Sequence, residues 1–348
     1  MKAGPQYLDK NGFILLTRPL APGVSRLRVN DPTFSDLAGV LTGVKPVTYT
    51  DCLPESLPAL KELCEKLKLK YLLPEKIFGR QGGHFGAGRQ KEMVLIGKNP
   101  EQLAAAAKAW SVSTTEAPWA LSLGYPQCCV KAFIKWFRDG DRRKSRDELV
   151  RRIFSNTGGG ETLDFRLNNV WNYFSRIDFK TPGDCLRHSR ILDANKKLDL
   201  PSLHIISWHP CSYSCAASGE KAGIIFSFLK RHCPAYAGEL ENRLARPVLF
   251  FGKYEYLVLD GRFSNPVMRY RAAPEPRSLL NPKIRRLIVC CDTLKQERSA
   301  LDFYRNGKRV FSSGVPGPLF LNFSKNSNYS ATKTPRHKES LWIKRFVV

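Results

Sequence analysis

The sequence predicts an α+β protein with a small N-terminal α/β region, a central helical region that carries a cysteine site, and a C-terminal β-rich region. Three observations support this. Short apolar runs alternate with helical patterns early in the chain, helix-starting residues dominate the middle, and strand patterns dominate the end. Such a change of pattern along one chain is typical of α+β proteins. The expected regions are 1–112, 113–240, 241–323 and a basic, partly disordered tail over 324–348.

The composition is that of a globular protein with a strong excess of positive charge. The chain has 348 residues, of which 43% are hydrophobic, and Lys and Arg total 56 against 31 Asp and Glu, a formal net charge of +25. This charge favours a polyanionic partner, either a nucleic acid, a phosphorylated substrate or an anionic membrane surface. A solvated basic surface without such a partner is the alternative.

Localisation and cysteine chemistry follow from two further features of the sequence. No apolar run approaches the roughly 18 to 20 residues of a membrane span, and the start lacks the apolar core of a secretory signal. We therefore expect a cytoplasmic protein without a membrane span. The ten cysteines are then expected to be free thiols or metal ligands rather than disulfides.

The N-terminal region is expected to contain short strands and two helices. Strand patterns cover residues 13–16 and 24–29. A helix with apolar residues at three- and four-residue spacing opens at Pro54. A buried strand is predicted over 93–97, and Asn99 then caps an alanine-rich helix.

Two basic segments are candidates for anion binding. One is a glycine-rich loop over 79–89, whose backbone amides are able to cradle an anion, although it does not match a P-loop. The other is the arginine-rich run over 142–146. A mobile surface loop and a solvated helix face are the respective alternatives. The candidate side chains are Arg80, His84, Arg89, Arg142, Arg143 and Arg146.

Two cysteine motifs organise the central region. The first is Gly124-Tyr125-Pro126-Gln127-Cys128-Cys129, and the second is His209-Pro210-Cys211-Ser212-Tyr213-Ser214-Cys215. Amphipathic helical patterns follow both motifs, and Pro126 fits a first helical turn. A helix N-terminus favours the thiolate, which is both the nucleophile and the metal ligand. The motifs therefore predict two helix N-termini that bring their cysteines to one site.

Three interpretations of this site remain open. Cys128, Cys129, Cys211 and Cys215 bind a zinc ion or an iron–sulfur cluster, with His209 as a further ligand or a general base. Alternatively, Cys129 and His209 form a metal-free catalytic or redox site, or the cysteines are small buried hydrophobes. Because adjacent side chains on a helix diverge by about 100°, we expect one of the two vicinal cysteines to bind and the other to pack or react.

Neighbouring elements complete the central region. A helix is predicted over 167–174, whose asparagines either bridge the core to the site or cap nearby backbone. A strand is predicted over 203–208, ending at His209. Tyr125 or Tyr213 is expected to form hydrogen bonds around the ligands.

The C-terminal region is expected to be mostly β. Strands are predicted over 247–251, 254–259 and 285–290. A hairpin is predicted around Asn306-Gly307, a strong turn signal. Cys290-Cys291 is either a second vicinal pair or plain core.

The two cysteine motifs, with the residues from Leu123 to Phe133 around the first, resemble an uncharacterised archaeal and bacterial family. Its members share a Gly-Tyr-Pro-x-Cys-Cys segment and a later Pro-Cys-Ser-x-x-Cys segment. The resemblance covers roughly residues 93–259. It implies that the four cysteines of the motifs belong to one site, and it implies no particular activity.

The leading functional hypothesis is a metal- or iron–sulfur-dependent enzyme, redox or modifying, that acts on a polyanionic substrate such as RNA or on a phosphorylated small molecule. In this hypothesis Cys129 and His209 are the catalytic candidates. The alternative is a non-enzymatic nucleic-acid-binding protein whose cysteines hold a structural zinc.

Overall fold

The computed structural model of the chain has an α+β fold, as the sequence predicts. N-terminal small sheets with helices precede a central helical region, and a C-terminal antiparallel sheet follows. The domain boundaries proposed from the sequence stay predictions. The structure describes residues 6–28, 32–78, 91–113, 116–139, 147–158, 162–171, 182–196, 198, 200–297, 300–314 and 317–324.

The helices, in chain order, are α1 (Phe34–Leu41), α2 (Leu57–Lys66), α3 (Pro74–Phe78), α4 (Pro100–Val112), α5 (Ala117–Ser122), α6 (Gln127–Asp139), α7 (Asp147–Ser155), α8 (Pro182–Ala194), α9 (Ala216–His232), α10 (Pro234–Leu244) and α11 (Pro282–Val289). Short 3-10 turns lie at Pro54–Ser56, Phe165–Leu167 and Leu200–Ser202.

The strands, in chain order, are β1 (Phe13–Leu15), β2 (Arg26–Arg28), β3 (Val47–Cys52), β4 (Lys70–Leu72), β5 (Glu92–Gly97), β6 (Val248–Gly252), β7 (Glu255–Ser264), β8 (Val267–Ala272), β9 (Thr293–Glu297), β10 (Ala300–Arg305), β11 (Lys308–Ser313) and β12 (Leu319–Leu321).

These strands form three antiparallel sheets. β1 pairs with β2, and β5 lies between β3 and β4. The third sheet has seven strands in the order β11-β10-β9-β8-β7-β6-β12. The predicted hairpin at Asn306-Gly307 is confirmed, because it joins β10 to β11.

The main core joins the N-terminal and central regions. One buried cluster contains Phe34 of α1, Leu229 of α9, and Trp208, which precedes α9 in the chain. Helix α9 packs against both α1 and α10. The C-terminal sheet has its own cluster, in which Ile288 of α11 packs with Met268. Burying a large apolar side chain contributes about 1.5–3 kcal/mol, so the main cluster holds the N-terminal region firmly against α9.

Several local predictions are confirmed. The strand patterns over 13–16 and 24–29 correspond to β1 and β2, and 93–97 lies within β5. The Asn99 side chain accepts hydrogen bonds from the first-turn amides of α4, as its capping role predicts. These features depend on neighbours in sequence, which explains why a local pattern reveals them.

The strand predicted over 285–290 is wrong, because these residues belong to helix α11 and its C-terminal end. Asn281 accepts a hydrogen bond from the Lys283 amide at 2.9 Å, and Pro282 occupies the first turn. An N-cap followed by proline is a helix start. The apolar run that suggested a strand places Ile288 in the core.

The strand predicted over 203–208 is also wrong, since this segment pairs with no strand in the described part of the chain. Its residues Leu203, Ile205 and Trp208 are all buried. Side chains provide part of the backbone hydrogen bonding that a neighbouring strand would otherwise supply to this segment. Ser35 Oγ, for example, donates to the His204 carbonyl at 2.9 Å. An apolar run buried on all sides does not require a sheet.

The helix predicted over 167–174 is reduced to the 3-10 turn at Phe165–Leu167. Asn168 ends this turn with an extended backbone, at φ −63° and ψ 108°. Residues 172–174 lie outside the described part of the chain. The α-helical pattern is interrupted because the side chain of Asn168 accepts from the backbone amide of Val170, which competes with helical hydrogen bonding.

Candidate metal centre

The first cysteine pair lies in the opening turn of α6. The Val130 amide donates to the Pro126 carbonyl at 3.0 Å, so Pro126 stands at the helix start as predicted. Gly124 precedes it with φ +78°, and a Cβ on Gly124 would lie 2.5 Å from Pro46 Cδ and 2.9 Å from the Val44 carbonyl oxygen. The motif therefore begins with glycine because the chain around Val44 and Pro46 approaches it closely.

The second motif forms the N-terminal end of α9. Cys215 is the N-cap, with φ −63° and ψ 109°, and its carbonyl accepts from the Gly219 amide at 2.9 Å. The loop before it is held by the end of α7. The Asn156 side-chain amide donates to the Cys211 carbonyl at 3.2 Å, and the Tyr213 amide donates to Thr157 Oγ1 at 3.0 Å.

The two motifs meet, as the sequence predicts. The Sγ atoms of Cys128 and Cys215 lie 3.7 Å apart, those of Cys129 and Cys215 lie 3.6 Å apart, and those of Cys128 and Cys129 lie 3.8 Å apart. With Cys211, all four sulfurs lie within 4.8 Å of one another. This four-cysteine cluster has the donor set and the size to hold a metal ion.

The expectation that only one vicinal cysteine joins the ligand set stays a prediction, although both sulfurs lie close enough to the others to bind one ion. The sulfurs of Cys128 and Cys129 both belong to the four-cysteine cluster. Side chains on a helix tilt toward its N-terminus. In the first turn of α6, two adjacent side chains can therefore converge on a point beyond the helix end, whereas in mid-helix they would diverge.

Hydrogen-bond donors surround the buried part of the cluster. The Cys211 amide donates to Cys129 Sγ at 3.3 Å, and Ser218 Oγ lies 3.2 Å from the same sulfur. Trp208 Nε1 donates to Ser218 Oγ at 2.9 Å. Because the Ser218 oxygen accepts from Trp208, its own proton is available to Cys129, which favours a thiolate there when metal is bound.

Proton sharing among the thiols makes their pKa values diverge. Hydrogen bonding from Cys129, opposed by burial and assisted by the backbone amide and hydroxyl of Ser218, lowers the pKa of Cys215 to about 4. The hydrogen bond to Cys215, together with burial, raises the pKa of Cys129. Burial, followed by the neighbouring Cys215, raises the pKa of Cys211 to about 12. A bound cation displaces the protons that the thiols retain.

The four cysteines differ in their access to solvent. Cys129 is 2% exposed and Cys215 is 8% exposed. Cys211 is half-buried, and Cys128 is exposed. The cluster therefore lies at the surface, with the Cys128 side open to solvent.

His209 lies beside the cluster without belonging to the four-sulfur group. Its Nδ1 is 2.9 Å from Asn169 Nδ2, and its ring stacks on Phe133. The Tyr213 hydroxyl donates to Asn169 Oδ1 at 3.1 Å, which directs the Asn169 NH₂ group at His209 Nδ1. This pattern places the proton of the neutral ring on Nε2. The roles of ligand or base assigned to His209 from the sequence stay predictions.

Both interpretations of the central asparagines apply, each to a different residue. Asn169 bridges His209 and Tyr213 next to the cluster. Asn168 instead serves the backbone, donating to the Leu244 carbonyl at 2.9 Å. Asn172 lies outside the described residues. The Tyr213 hydroxyl donates to Asn169, so its expected role around the ligands stays a prediction. The Tyr125 ring packs against Trp208 at 5.4 Å between centroids.

A buried ionic group behind Tyr125 was missed by the sequence reasoning. Lys45 is 2% exposed, and its ammonium donates to Asp36, to Thr48 at 3.2 Å and to Ser207 at 3.0 Å. It also lies 5.7 Å from the Tyr125 ring centroid. Burial raises the pKa of Asp36, but Lys45 and then His204 outweigh this, so that the pKa lies well below its usual range.

One local signal for this group exists in the sequence. The Thr33 side chain accepts from the Asp36 amide at 3.2 Å and caps α1. A threonine three residues before an acid is a capping pattern, so the sequence does indicate the position of Asp36. Nothing in the spacing indicates its pairing with Lys45 and His204.

The predicted anion-binding residues cannot be placed next to the cluster. Arg80, His84 and Arg89 of the glycine-rich loop lie outside the described residues. Arg142, Arg143 and Arg146 lie outside them as well, as does the tail from 325 to 348. Their proposed roles stay predictions.

Membrane-spanning segments and similarity to known proteins give the wider context of the centre. Across the described residues, each helix is too short or too polar to cross a membrane. No protein-family model, curated protein or solved structure matches the chain. The function is therefore argued from the geometry of the four-cysteine cluster.

Proposed function

We propose that this chain is a metalloprotein that binds one tetrahedral zinc ion through Cys128, Cys129, Cys211 and Cys215. The sulfur separations carry the proposal. Zn–S bonds of about 2.3 Å place the sulfurs of a tetrahedral site about 3.8 Å apart. The three separations of 3.6 to 3.8 Å among Cys128, Cys129 and Cys215 match this value.

The same separations favour a single ion over an iron–sulfur cluster. In a [4Fe–4S] cluster each cysteine binds a different iron, and in a [2Fe–2S] cluster each iron takes only two of the four, so three or more cysteines always span irons that bridging sulfides hold apart. Ligands of a cluster must therefore stand farther apart than the edges of one tetrahedron. All four sulfurs lie within 4.8 Å of one another, which leaves room for one ion and little more.

The ion would fasten the N-terminal ends of α6 and α9 to each other. Four thiolates and one divalent cation carry a net charge of −2, and the positive ends of two helices offset it. The Cys211 amide and Ser218 hydroxyl beside Cys129 add to this stabilisation. Since metal binding free energy is folding free energy, the ion would stabilise the central region.

This proposal adopts the structural zinc of the alternative hypothesis and leaves partners and catalysis as predictions. A site closed by four protein ligands is typical of structural zinc. The formal charge of +25 supports a polyanionic partner such as a nucleic acid. The resemblance to the archaeal and bacterial family is compatible with a shared four-cysteine site. An enzymatic role at this site would require one of the four cysteine ligands to react.

Elemental analysis of protein purified without oxygen tests the proposal. We expect one zinc per chain, and a cobalt-substituted form with the visible absorption of a tetrahedral thiolate site. Cys185→Ser and Cys290→Ser are matched controls, because both cysteines are exposed and lie outside the four-cysteine cluster. Both variants should retain the metal. Iron with acid-labile sulfide would indicate a cluster, and a folded protein without metal would contradict the proposal.

A further inference from the structure

Unequal burial distinguishes one sulfur of the four-cysteine cluster from the others. Cys129 and Cys215 are buried, with 2% and 8% of their surface exposed, and Cys211 is half-buried. Cys128 is exposed. A molecule that approaches the centre from solvent therefore meets the Cys128 sulfur first.

Hydrogen bonding also separates the Cys128 sulfur from the two buried sulfurs, those of Cys129 and Cys215. Cys129 Sγ accepts from the Cys211 amide and contacts the Ser218 hydroxyl. Cys215 Sγ accepts from the Ser218 amide. Among the described residues, Cys128 Sγ contacts sulfur atoms and has no N–H or O–H donor. Donors stabilise the charge on a thiolate and make it less reactive. Among the described residues Cys211 Sγ also contacts only cysteines, but it is half-buried. Cys128 therefore combines solvent exposure with the lack of a donor.

We infer that Cys128 is a metal-held nucleophile that accepts alkyl groups from carbon electrophiles with anionic leaving groups. This inference rests on the proposed zinc site. In the reaction an S–C bond forms between Cys128 and the alkyl carbon while the carbon–leaving-group bond breaks. The electron pair of that bond departs with the anion, so no oxidant or reductant is needed. The product is a neutral thioether on Cys128.

The surroundings of Cys128 are suited to this class of substrate. Gln127 and Lys131, in the same turn region of α6, are both exposed. The N-terminal end of α6 and the formal charge of +25 stabilise the anion that departs as the leaving group. Phosphate and sulfonate esters are the simplest alkyl donors with these properties.

Alkylation with methyl methanesulfonate, followed by peptide mass spectrometry, tests the inference on the full zinc-loaded chain. The exposed Cys185 and Cys290 serve as internal references in the same sample. A free thiol is a few per cent thiolate near pH 7, whereas a coordinated thiol is deprotonated, so we expect Cys128 to be methylated about tenfold faster than either reference. Removal of zinc with a chelator should bring this ratio down toward one.

The outcomes separate this inference from the proposed function. Protein that lacks zinc by elemental analysis contradicts the proposed function. Protein that contains zinc but methylates Cys128 no faster than Cys185 and Cys290 overturns the inference alone. The Cys128→Ser variant lacks one ligand and should bind zinc more weakly, but in buffer with excess zinc the fast methylation should not pass to Cys129, Cys211 or Cys215. If that variant does not fold, the rate ratios in the unaltered chain still decide the question.

Discussion

Two Cys-Cys dipeptides occur at opposite ends of two helices, and their surroundings are opposite. Cys128-Cys129 lies in the first turn of α6, where an amide donates to Cys129 Sγ at 3.3 Å. Cys290-Cys291 follows the last residue of α11, where both thiols donate to the Leu287 carbonyl, at 3.0 and 3.2 Å. Cys129 accepts a hydrogen bond from a backbone amide, whereas both thiols of the second pair donate to a backbone carbonyl.

The two helix ends favour different protonation states of a vicinal cysteine pair, and at the first pair the Cys211 amide, which lies outside α6, adds to this effect. The N-terminal end supplies unpaired amides and partial positive charge, which favour thiolates. The C-terminal end supplies carbonyl groups, which favour thiols. Burial, followed by the neighbouring Cys290, raises the pKa of Cys291 to about 11. Of the two interpretations of this pair, core packing applies to the buried Cys291, while Cys290 is exposed.

The largest effect should come from replacing cysteines in each pair. We expect Cys129→Ser to lose the metal almost entirely, because serine is a poor zinc ligand and Cys129 is central to the sulfur contacts. Cys291→Ser, also at a buried cysteine, should keep one metal per chain. Elemental analysis measures both variants. Equal metal content in the two would contradict the contrast between the helix ends.

Asp36→Asn should have the next largest effect, because it removes the carboxylate from the buried ionic group behind Tyr125. Without the carboxylate, the ammonium of Lys45 stays 2% exposed and loses its charged partner. Breaking a buried ion pair costs about 3–5 kcal/mol of unfolding free energy. Chemical denaturation at pH 7 measures this loss. Metal affinity should fall as well, while alkylation of Cys290 stays unchanged.

The pH dependence of this effect has a defined sign. The pKa of Asp36 is lower in the folded state than in the unfolded state, where it is about 3.9. Its contribution is therefore complete above about pH 5 and is lost as the pH falls below about 4. The stability difference between the unaltered chain and Asp36→Asn should shrink in that range. Glu62→Gln, which breaks the exposed pair with Lys66, should leave stability unchanged.

The sequence predicted the four-cysteine cluster well because each half of it is a local feature. A proline in a first turn and an N-cap loop are recognisable from neighbouring residues, and both helix starts are confirmed at Pro126 and Cys215. The convergence of both Cys128 and Cys129 was not predicted. Side-chain directions in a first turn depend on where the helix begins to within one residue, and a sequence pattern does not fix that.

Contacts between distant residues escaped the sequence for a different reason. Ser207 and Lys45 are 162 positions apart, and their hydrogen bond arises from packing of the main core. The apolar run ending at Trp208 has the pattern of a strand. In the structure it is buried on all sides by the core and is not paired in a sheet among the described residues. Local propensity yields to tertiary packing in such segments.

Gly124→Ala should have an intermediate effect and tests how closely the first pair is positioned. The added Cβ would meet Pro46 Cδ at 2.5 Å and the Val44 carbonyl oxygen at 2.9 Å. Gly307→Ala is the matched control, because its φ of +76° is close to the +78° of Gly124 and nothing lies within 4 Å of its Cβ. Both variants incur the cost of a left-handed alanine.

Overpacking should cost Gly124→Ala about 1–3 kcal/mol more than Gly307→Ala. Thermal or chemical denaturation compares the two variants. Metal affinity should fall in Gly124→Ala alone, because the glycine sets the position of the α6 N-terminal end. If the two variants lose equal stability and keep equal affinity, the close approach at Gly124 does not support the centre.

The smallest expected effect is that of Ser218→Ala, which removes the hydroxyl donor beside Cys129 without removing a ligand. Ser218 is fully buried, and its oxygen also accepts from Trp208 Nε1. Loss of a hydrogen-bonding partner next to a metal ligand typically weakens binding by 10–100-fold. We expect about tenfold here, or about 1.4 kcal/mol, because the Cys211 amide still donates to Cys129.

Ser214→Ala is the control for this last variant, since Ser214 is an exposed residue of the loop just before α9 and its hydroxyl contacts Ser212 rather than a sulfur. Competition with a chromophoric zinc chelator measures both affinities. The tenfold loss should appear in Ser218→Ala alone. An equal loss in both variants would mean that the loop, and not the donor at Cys129, sets the affinity. The contrast between the helix ends would then rest on the ligand sulfurs themselves rather than on the donors around them.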